Sequence, residues 1–278
     1  KRVYCVYISP IKALANDIQR NLLGPLKEIS ERYLPDRAQE IRVGLRTGDT
    51  PQNERQKMLR NPPHILITTP ESLAIAITSP RFQPIVSEVE YMIIDELHSL
   101  VPTKRGVHLA LTLSYLDTLL NRPVQRIGIS ATMEPLETVA DFLVASDDQE
   151  QLNEATKVYI AKVSGSRELD LDILITDPKF SDLSVMKIFD KNIEAIADLI
   201  AAHTTTIVFA NTRKMTENIV LKLRPYLGDL VAGHHGSMDK KIRLDVEKKL
   251  KHGHLGAVVT SSSLEMGIDI GSVDLVLQ

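Results

Sequence analysis

Tryptophan is absent from this 278-residue sequence, and cysteine occurs once, at Cys5. A single cysteine excludes a disulfide framework and a cysteine-based zinc site, and it fits a reducing, cytoplasmic setting. Aromatic residues amount to only 4% of the chain, so base stacking cannot be the main mode of any nucleic-acid contact. An excess of either charge is missing too. With 33 basic and 36 acidic residues the net charge is −3, which argues against bulk electrostatic binding in the manner of a histone. It leaves open a protein that holds phosphates with backbone amides and a few placed side chains. No run approaches the ~18 unbroken apolar residues that a membrane span requires.

What is present is an ordinary globular mix, 43% apolar and 25% charged, in a chain long enough for about two domains. Short β-branched runs alternate with longer amphipathic stretches. Strands are expected over 3–8, 41–45, 64–67, 89–94 and 125–129, and helices over 11–33, 52–60, 71–78, 107–120 and 136–144. Such alternation means right-handed crossovers and a mostly parallel α/β sheet covered on both faces. The apolar run Tyr91-Met92-Ile93-Ile94 suits a central strand buried on both sides. The rhythm breaks at the polar, acidic stretch 146–153, expected as a surface loop, and two strand-like segments follow at 158–163 and 169–175. It resumes with a helix over 193–202, strand 205–209, helix 213–226, strand 230–232, helix 238–251 and strands 257–260 and 273–277. The boundary is expected near Gly165, giving domains 1–164 and 165–278. Lys1 opens directly into one strand-like run and Gln278 closes another, so the sequence reads as an excerpt of a longer chain with both domains incomplete.

Three strands of the first half end in the same chemistry. Ser9-Pro10 follows the first, Thr50-Pro51 the second after Thr47-Gly48-Asp49, and Thr69-Pro70-Glu71 the third. Each reads as a hydroxyl N-cap with proline opening the helix. In a parallel sheet these helix starts share the edge outside the carboxyl ends of the strands, where open α/β sheets bind ligands and free amides attract anions. A row of them suits a nucleic-acid backbone; one alone is plain capping.

Asp95-Glu96-Leu97-His98 follows the buried strand. Adjacent carboxylates there are costly unless a cation or polar ligand meets them. In nucleotide hydrolysis one carboxylate holds magnesium and a second orients the attacking water; Asp95 fits the first role and Glu96 the second. Ser130-Ala131-Thr132 ends the next strand, with His98 a candidate partner for its hydroxyls, although the same tripeptide also reads as a helix cap. In the second half, Asn211-Thr212-Arg213 sits where a strand feeds a helix. Gly233-His234-His235-Gly236-Ser237 precedes another helix; its paired histidines have no further ligand at usable spacing, so loop or backbone contact is the preferred reading over metal. Thr260-Ser261-Ser262-Ser263 leads through Glu265, Gly267 and Asp269 to Gly271, a hydroxyl-rich turn or simply a polar loop.

Taken in order, these elements resemble the motor core of superfamily-two DEAD/DEAH-like helicases. The wording Ala13-Leu14-Ala15-Asn16-Asp17-Ile18-Gln19, and Lys104-Arg105-Gly106-Val107-His108-Leu109 after the acidic box, is most similar to the large helicase-related (Lhr) branch. The resemblance implies two RecA-like domains of the P-loop NTPase fold, ATP in the cleft between them and a single strand of DNA or RNA across the top. It implies that Asp95 ligates Mg2+ through water, that Glu96 activates the hydrolytic water, and that His98 with Ser130, Ala131 and Thr132 couples ATP state to closure. Ser9, Lys12, Thr47, Gly48, Thr69 and Glu71 would line the strand on the first domain. Asn211, Arg213, His235, Ser237, Thr260 and Ser261 would line it on the second, and Gly267 and Asp269 would face the nucleotide. Two family motifs are missing: no Gly-x-x-x-x-Gly-Lys-Ser/Thr occurs, and no Gln-x-x-Gly-Arg-x-Gly-Arg. The expected function is an ATP-dependent, 3′-to-5′ helicase or translocase, this excerpt alone being inactive. The alternatives are a remodeller that does not separate strands and a catalytically dead, nucleic-acid-binding scaffold.

Overall fold

The computed structural model describes every residue except 1, 34–40, 123, 132, 145–157, 163–169, 177–183 and 262–270. The chain divides into two compact units, residues 1–164 and 165–278. In the first, β1 (Cys5–Ile8), β2 (Val43–Arg46), β3 (Ile65–Thr68), β4 (Tyr91–Ile94) and β5 (Gln125–Gly128) form a parallel sheet in the order β2-β3-β1-β4-β5. Their last residues stand in one row: Ile8 pairs with Thr68 and Ile94, Arg46 with Thr68, and Ile94 with Gly128. The residues that immediately follow therefore emerge along a single edge, which is the property the site depends on.

Helices α1 (Lys12–Tyr33), α2 (Gln52–Arg60), α3 (Pro70–Ile77), α4 (Gln83–Val86), α5 (Leu97–Leu100), α6 (Lys104–Leu120) and α7 (Leu136–Leu143) fill the crossovers. Val6, Ile8, Leu66, Met92 and Ile94 are fully buried against Leu73, Leu109 and Leu113, each large side chain contributing about 2 kcal/mol. α6 starts at Lys104, three residues before the periodic apolar pattern, because Thr103 caps it by accepting the Gly106 N–H. Its first turn lies so close to α5 that a Cβ on Gly106 would sit 2.2 Å from the Leu100 carbonyl oxygen. Only glycine fits there.

The expected hydroxyl cap forms at none of the three strand ends, and only the third keeps the expected cap position and proline. Thr69 occupies the N-cap of α3 with Pro70 in the first turn. After β1 the helix waits until Lys12, and the Ser9 hydroxyl donates to the Ile11 carbonyl instead. After β2 the N-cap is Pro51, while Thr50 Oγ1 accepts the Thr47 N–H and donates to the Leu45 carbonyl. Both hydroxyls close tight turns, a competing use of the same side-chain chemistry.

In the second unit, β6 (Thr206–Phe209), β7 (Val231–His234), β8 (Ala257–Thr260) and β9 (Leu275–Leu277) form a parallel sheet in the order β7-β8-β6-β9, accompanied by α8 (Val185–Ala202), α9 (Arg213–Leu227) and α10 (Lys240–Lys251). Phe209 and His234 both pair with Thr260, so this sheet too ends in a row. Its core comprises Ile193, Val208, Leu223 and Val259 in one cluster and Val246, Leu250, Leu255 and Val258 in another. α8 begins eight residues before the expected 193 because Ser184 caps it through the Lys187 N–H. The strands expected over 158–163 and 169–175 do not form in their described parts: Tyr159, Leu171 and Ile173 are more than four-fifths exposed. Strand-like composition reflects packing against a neighbour, and the described residues of these segments have no sheet partner. The acidic stretch 146–153 lies outside the described residues. Among those described, no helix is long and apolar enough to cross a membrane.

Candidate functional site

Along the edge of the first sheet the structure gathers Ser9, Thr47, Thr69 and Asp95, each one residue beyond its strand. Ser9, Thr47 and Thr69 are buried. Lys12 is exposed and its Nζ meets Asp49 Oδ1 at 2.5 Å. The Thr47-Gly48-Asp49 turn is held from below by Arg55, whose Nη2 donates to the Thr47 and Gly48 carbonyls at 3.1 and 3.2 Å and whose Nε donates to that of Thr50 at 2.9 Å. Thr69 Oγ1 donates to Ser72 Oγ. Glu71, exposed at the start of α3, accepts a 2.6 Å hydrogen bond from Arg105. Partial burial pushes the Glu71 carboxyl up, but the Arg105 guanidinium, the helix-start amide and Thr69 together hold it below the usual carboxylate range. Its negative charge is thus already countered within the protein.

β4 delivers the acidic pair. The Asp95 N–H extends the ladder to the Ile8 carbonyl at 2.9 Å, after which the chain turns sharply: Glu96 takes left-handed backbone angles, φ 50° and ψ 47°, at the N-cap of α5. That conformation costs a non-glycine residue about 1 kcal/mol, and the Glu96 N–H is held in it by Asp95 Oδ1 at 2.9 Å. The other carboxylate oxygen, Oδ2, accepts from the Tyr7 hydroxyl at 2.8 Å. Burial, and then Asp95, push the Tyr7 phenol far above its ordinary value.

His98 lies one helical step on. Its Nδ1 accepts the Ala131 N–H at 3.2 Å, with Ser130 Oγ at 3.5 Å and Glu96 Oε2 at 3.3 Å. The Leu97 N–H donates to the Ile129 carbonyl at 3.0 Å, so α5 is tied to the end of β5 at two points. Thr132 falls outside the described residues.

On the second sheet, Asn211 and Arg213 are exposed at the start of α9, where Thr212 caps the helix by accepting the Met215 N–H. Arg213 Nη1 reaches Ser237 Oγ, which ties this helix start to the loop after β7. His235 Nε2 pairs with Glu217 Oε1 at 2.7 Å and His234 Nε2 with Glu247 Oε1 at 3.1 Å. The two imidazoles thus turn to different helices, and among the described residues no group of three or more His, Cys, Asp or Glu side chains is arranged to hold a metal. Thr260 is fully buried and donates to the Ser261 carbonyl. Gly267 and Asp269 lie outside the described residues.

Three participants escape a reading of the sequence: Tyr7, Arg55 and Arg105. Tyr7 carries a faint signal as the one hydroxyl-bearing side chain within the apolar run 5–8; Arg55 carries none, because its partners are backbone carbonyls that any sequence possesses, and Arg105 meets Glu71 from 34 residues away with a backbone carbonyl as its second partner.

Two parallel-sheet α/β units with an acidic pair at a central strand end define a class. A model of the DEAD/DEAH box helicases matches residues 1–142, and one of the helicase conserved C-terminal domain matches 191–278. The chain belongs to the DEAD/DEAH box helicase family, and both of its units are RecA-like. Among relatives, it is 46% identical to the ATP-dependent helicase Lhr-Core of Methanothermobacter thermautotrophicus, covering 99% of this chain and 32% of that protein. Identity to the Lhr-Core helicase of Methanocaldococcus jannaschii is 43%, with 99% and 32% covered. Among solved structures, Mycobacterium smegmatis helicase Lhr bound to ssDNA and AMP-PNP superposes with a TM-score of 0.86 at 42% identity, over 99% of this chain and 36% of that one. S. cerevisiae Dbp5 bound to RNA and ADP BeF3, at 16% identity and a TM-score of 0.65 over 99% of this chain and 62% of that one, shares the fold. The chain spans about a third of the length of the curated relatives it matches.

Proposed function

We propose that this chain is the core of an ATP-driven motor that moves 3′ to 5′ along single-stranded DNA, or along a DNA/RNA hybrid, and separates the strands. Residues 1–164 act as the ATP-binding domain and 165–278 as the helicase C-terminal domain. The observation that carries the reading is the common edge. Asp95 and Glu96 leave a central strand beside the phosphate-suited turns at Ser9, Thr47 and Thr69, with His98 tied to the neighbouring strand end. The 42% identity to a helicase solved with ssDNA and AMP-PNP supports it.

The donor set fits Mg2+. Hard carboxylate oxygens, with no cage of further ligands around them among the described residues, suit an ion that keeps several waters and shares its remaining sites with phosphate. When bound, magnesium neutralises charge on the reacting phosphates. Asp95 would hold it through water, and Glu96 would orient the attacking water and take its proton on the carboxylate. His98, with Ser130, Ala131 and Thr132, reports the state of the acidic pair to the end of β5. Gly267 and Asp269 face the nucleotide. Ser9, Lys12, Thr47, Gly48 and Thr69 grip the strand on one unit, with Glu71 buttressing the grip. Asn211, Arg213, His235, Ser237, Thr260 and Ser261 grip it on the other, and turnover alternates the two grips. Because no Gly-x-x-x-x-Gly-Lys-Ser/Thr occurs within these 278 residues, the segment alone does not turn ATP over.

The test is displacement by the full-length protein of a labelled strand from duplexes carrying a 3′ or a 5′ tail. Displacement from the 3′-tailed substrate only, dependent on ATP and Mg2+, is expected. Displacement from the 5′-tailed one overturns the polarity. ATP turnover without displacement favours the remodeller. Strand binding with no turnover favours the inert scaffold, a reading that the Asp95-Glu96 pair argues against.

A further inference from the structure

We infer that Tyr7 is a positioning residue for the acidic pair, its hydroxyl fixing the Asp95 carboxylate and, through it, the backbone of Glu96. The inference rests on the reading of Asp95 as the residue that holds Mg2+ through water. Its geometric basis is the register of the sheet. Tyr7 stands opposite Ile93; side chains alternate along a strand, so Tyr7 and Asp95 share one face. The long phenol carries its hydroxyl to the strand end, where it meets Asp95 Oδ2 at 2.8 Å, while Oδ1 accepts the Glu96 N–H at 2.9 Å.

An ionised carboxylate offers about four acceptor sites. Two are used here, one per oxygen, which fixes the plane of the group and leaves one on each oxygen for water. The chain Tyr7 O–H to Asp95 to Glu96 N–H also secures the left-handed turn at Glu96. Val6 and Ile8, on the opposite face of β1, are fully buried apolar side chains, whereas Tyr7 is half-buried on the face that leads to Asp95. A phenylalanine at position 7 would fill the same space and lose only the donor.

The test uses Tyr7→Phe in the full-length protein. A fluorescent ATP analogue is titrated with Mg2+, alongside ssDNA binding without nucleotide. The half-saturating Mg2+ concentration is expected to rise about tenfold, the low end of what lost outer-shell partners cost. Affinity for ssDNA should stay unchanged, and Tyr7→Phe should add nothing in an Asp95→Asn background. An unchanged Mg2+ half-point in Tyr7→Phe overturns the inference while leaving the role of Asp95 intact. An equal loss of ssDNA affinity overturns it in favour of a general structural role. Mg2+-independent analogue binding by the unaltered protein overturns the reading of Asp95 itself, and the inference with it.

Discussion

Arg105 clamps Glu71: its Nε donates to Oε1 at 2.6 Å, while its Nη2 donates to the Pro10 carbonyl, also at 2.6 Å. One guanidinium at the start of α6 therefore ties the turn after β1 to the turn after β3. The fork geometry of arginine makes this possible; a lysine ammonium would reach one partner without fixing the angle to the other. The carboxylate of Glu71, which the helicase resemblance would place along the nucleic-acid strand, is engaged with a cation of its own unit. On the proposed function, it is therefore expected to hold the loop and not to touch phosphate.

Arg105→Met in the full-length protein should accordingly weaken ssDNA binding about fivefold, in line with about 1 kcal/mol for a partly exposed ion pair. The salt dependence separates this from direct contact. A residue that touches a phosphate removes about one unit from the slope of log affinity against log salt when it is deleted. Arg105 should leave the slope unchanged. A slope reduced by one unit would make Arg105 a phosphate ligand.

The same pair predicts a pH effect. The folded carboxyl of Glu71 lies below its ordinary value of 4.5, so its contribution to stability is complete above that value and is lost as pH falls through the folded pKa. The gap in unfolding midpoint between the native protein and Arg105→Met should be constant near neutrality. It should narrow below about pH 4.5 as Glu71 protonates in both. Thermal melts across pH 3 to 7 check this; a gap that widens on acidification contradicts the assignment.

Much of this architecture is legible before folding. The run Tyr91-Met92-Ile93-Ile94 and the acidic residues behind it fix an interior strand and its exit, although Tyr91 is exposed and Ile93 half-buried, so the expected cover on both faces is incomplete; Thr69 and Pro70 mark the start of α3 by position, without a side-chain cap. Three kinds of feature are not legible. The hydroxyls of Ser9 and Thr50 are as competent to close a turn as to cap a helix, and only the surrounding chain decides between them. Tyr159, Leu171 and Ile173 have strand character but no partner, and pairing is a property of the whole sheet. The Arg55 clamp and the second arm of the Arg105 clamp act on carbonyls, which carry no side-chain identity.

Gly106→Ala should show how closely α5 and α6 are pressed together. The added methyl would lie 2.2 Å from the Leu100 carbonyl oxygen and 2.8 Å from its carbon, both backbone atoms that cannot swing aside. Overpacking of this kind costs about 1–3 kcal/mol. Because Gly106 adjoins Arg105, the shift should also loosen the clamp on Glu71. Denaturant titration is expected to show the loss of stability, and ssDNA affinity should fall in parallel with Arg105→Met. Stability equal to the native protein would mean that the two helices separate without penalty.

Glu96→Gln isolates the proposed chemistry from the geometry that supports it. The amide preserves the length of the side chain, and in the hydrogen bond to Asp95 Oδ1 residue 96 contributes only its backbone N–H, so the turn survives. What disappears is the negative charge and the ability to take a proton. Nucleotide affinity should stay within about twofold, whereas strand-stimulated turnover by the full-length protein should fall by about 10²–10⁴, the range for a lost general base. Turnover retained at the native rate would remove Glu96 from the proposed reaction. A matching loss of nucleotide affinity would assign it to binding instead.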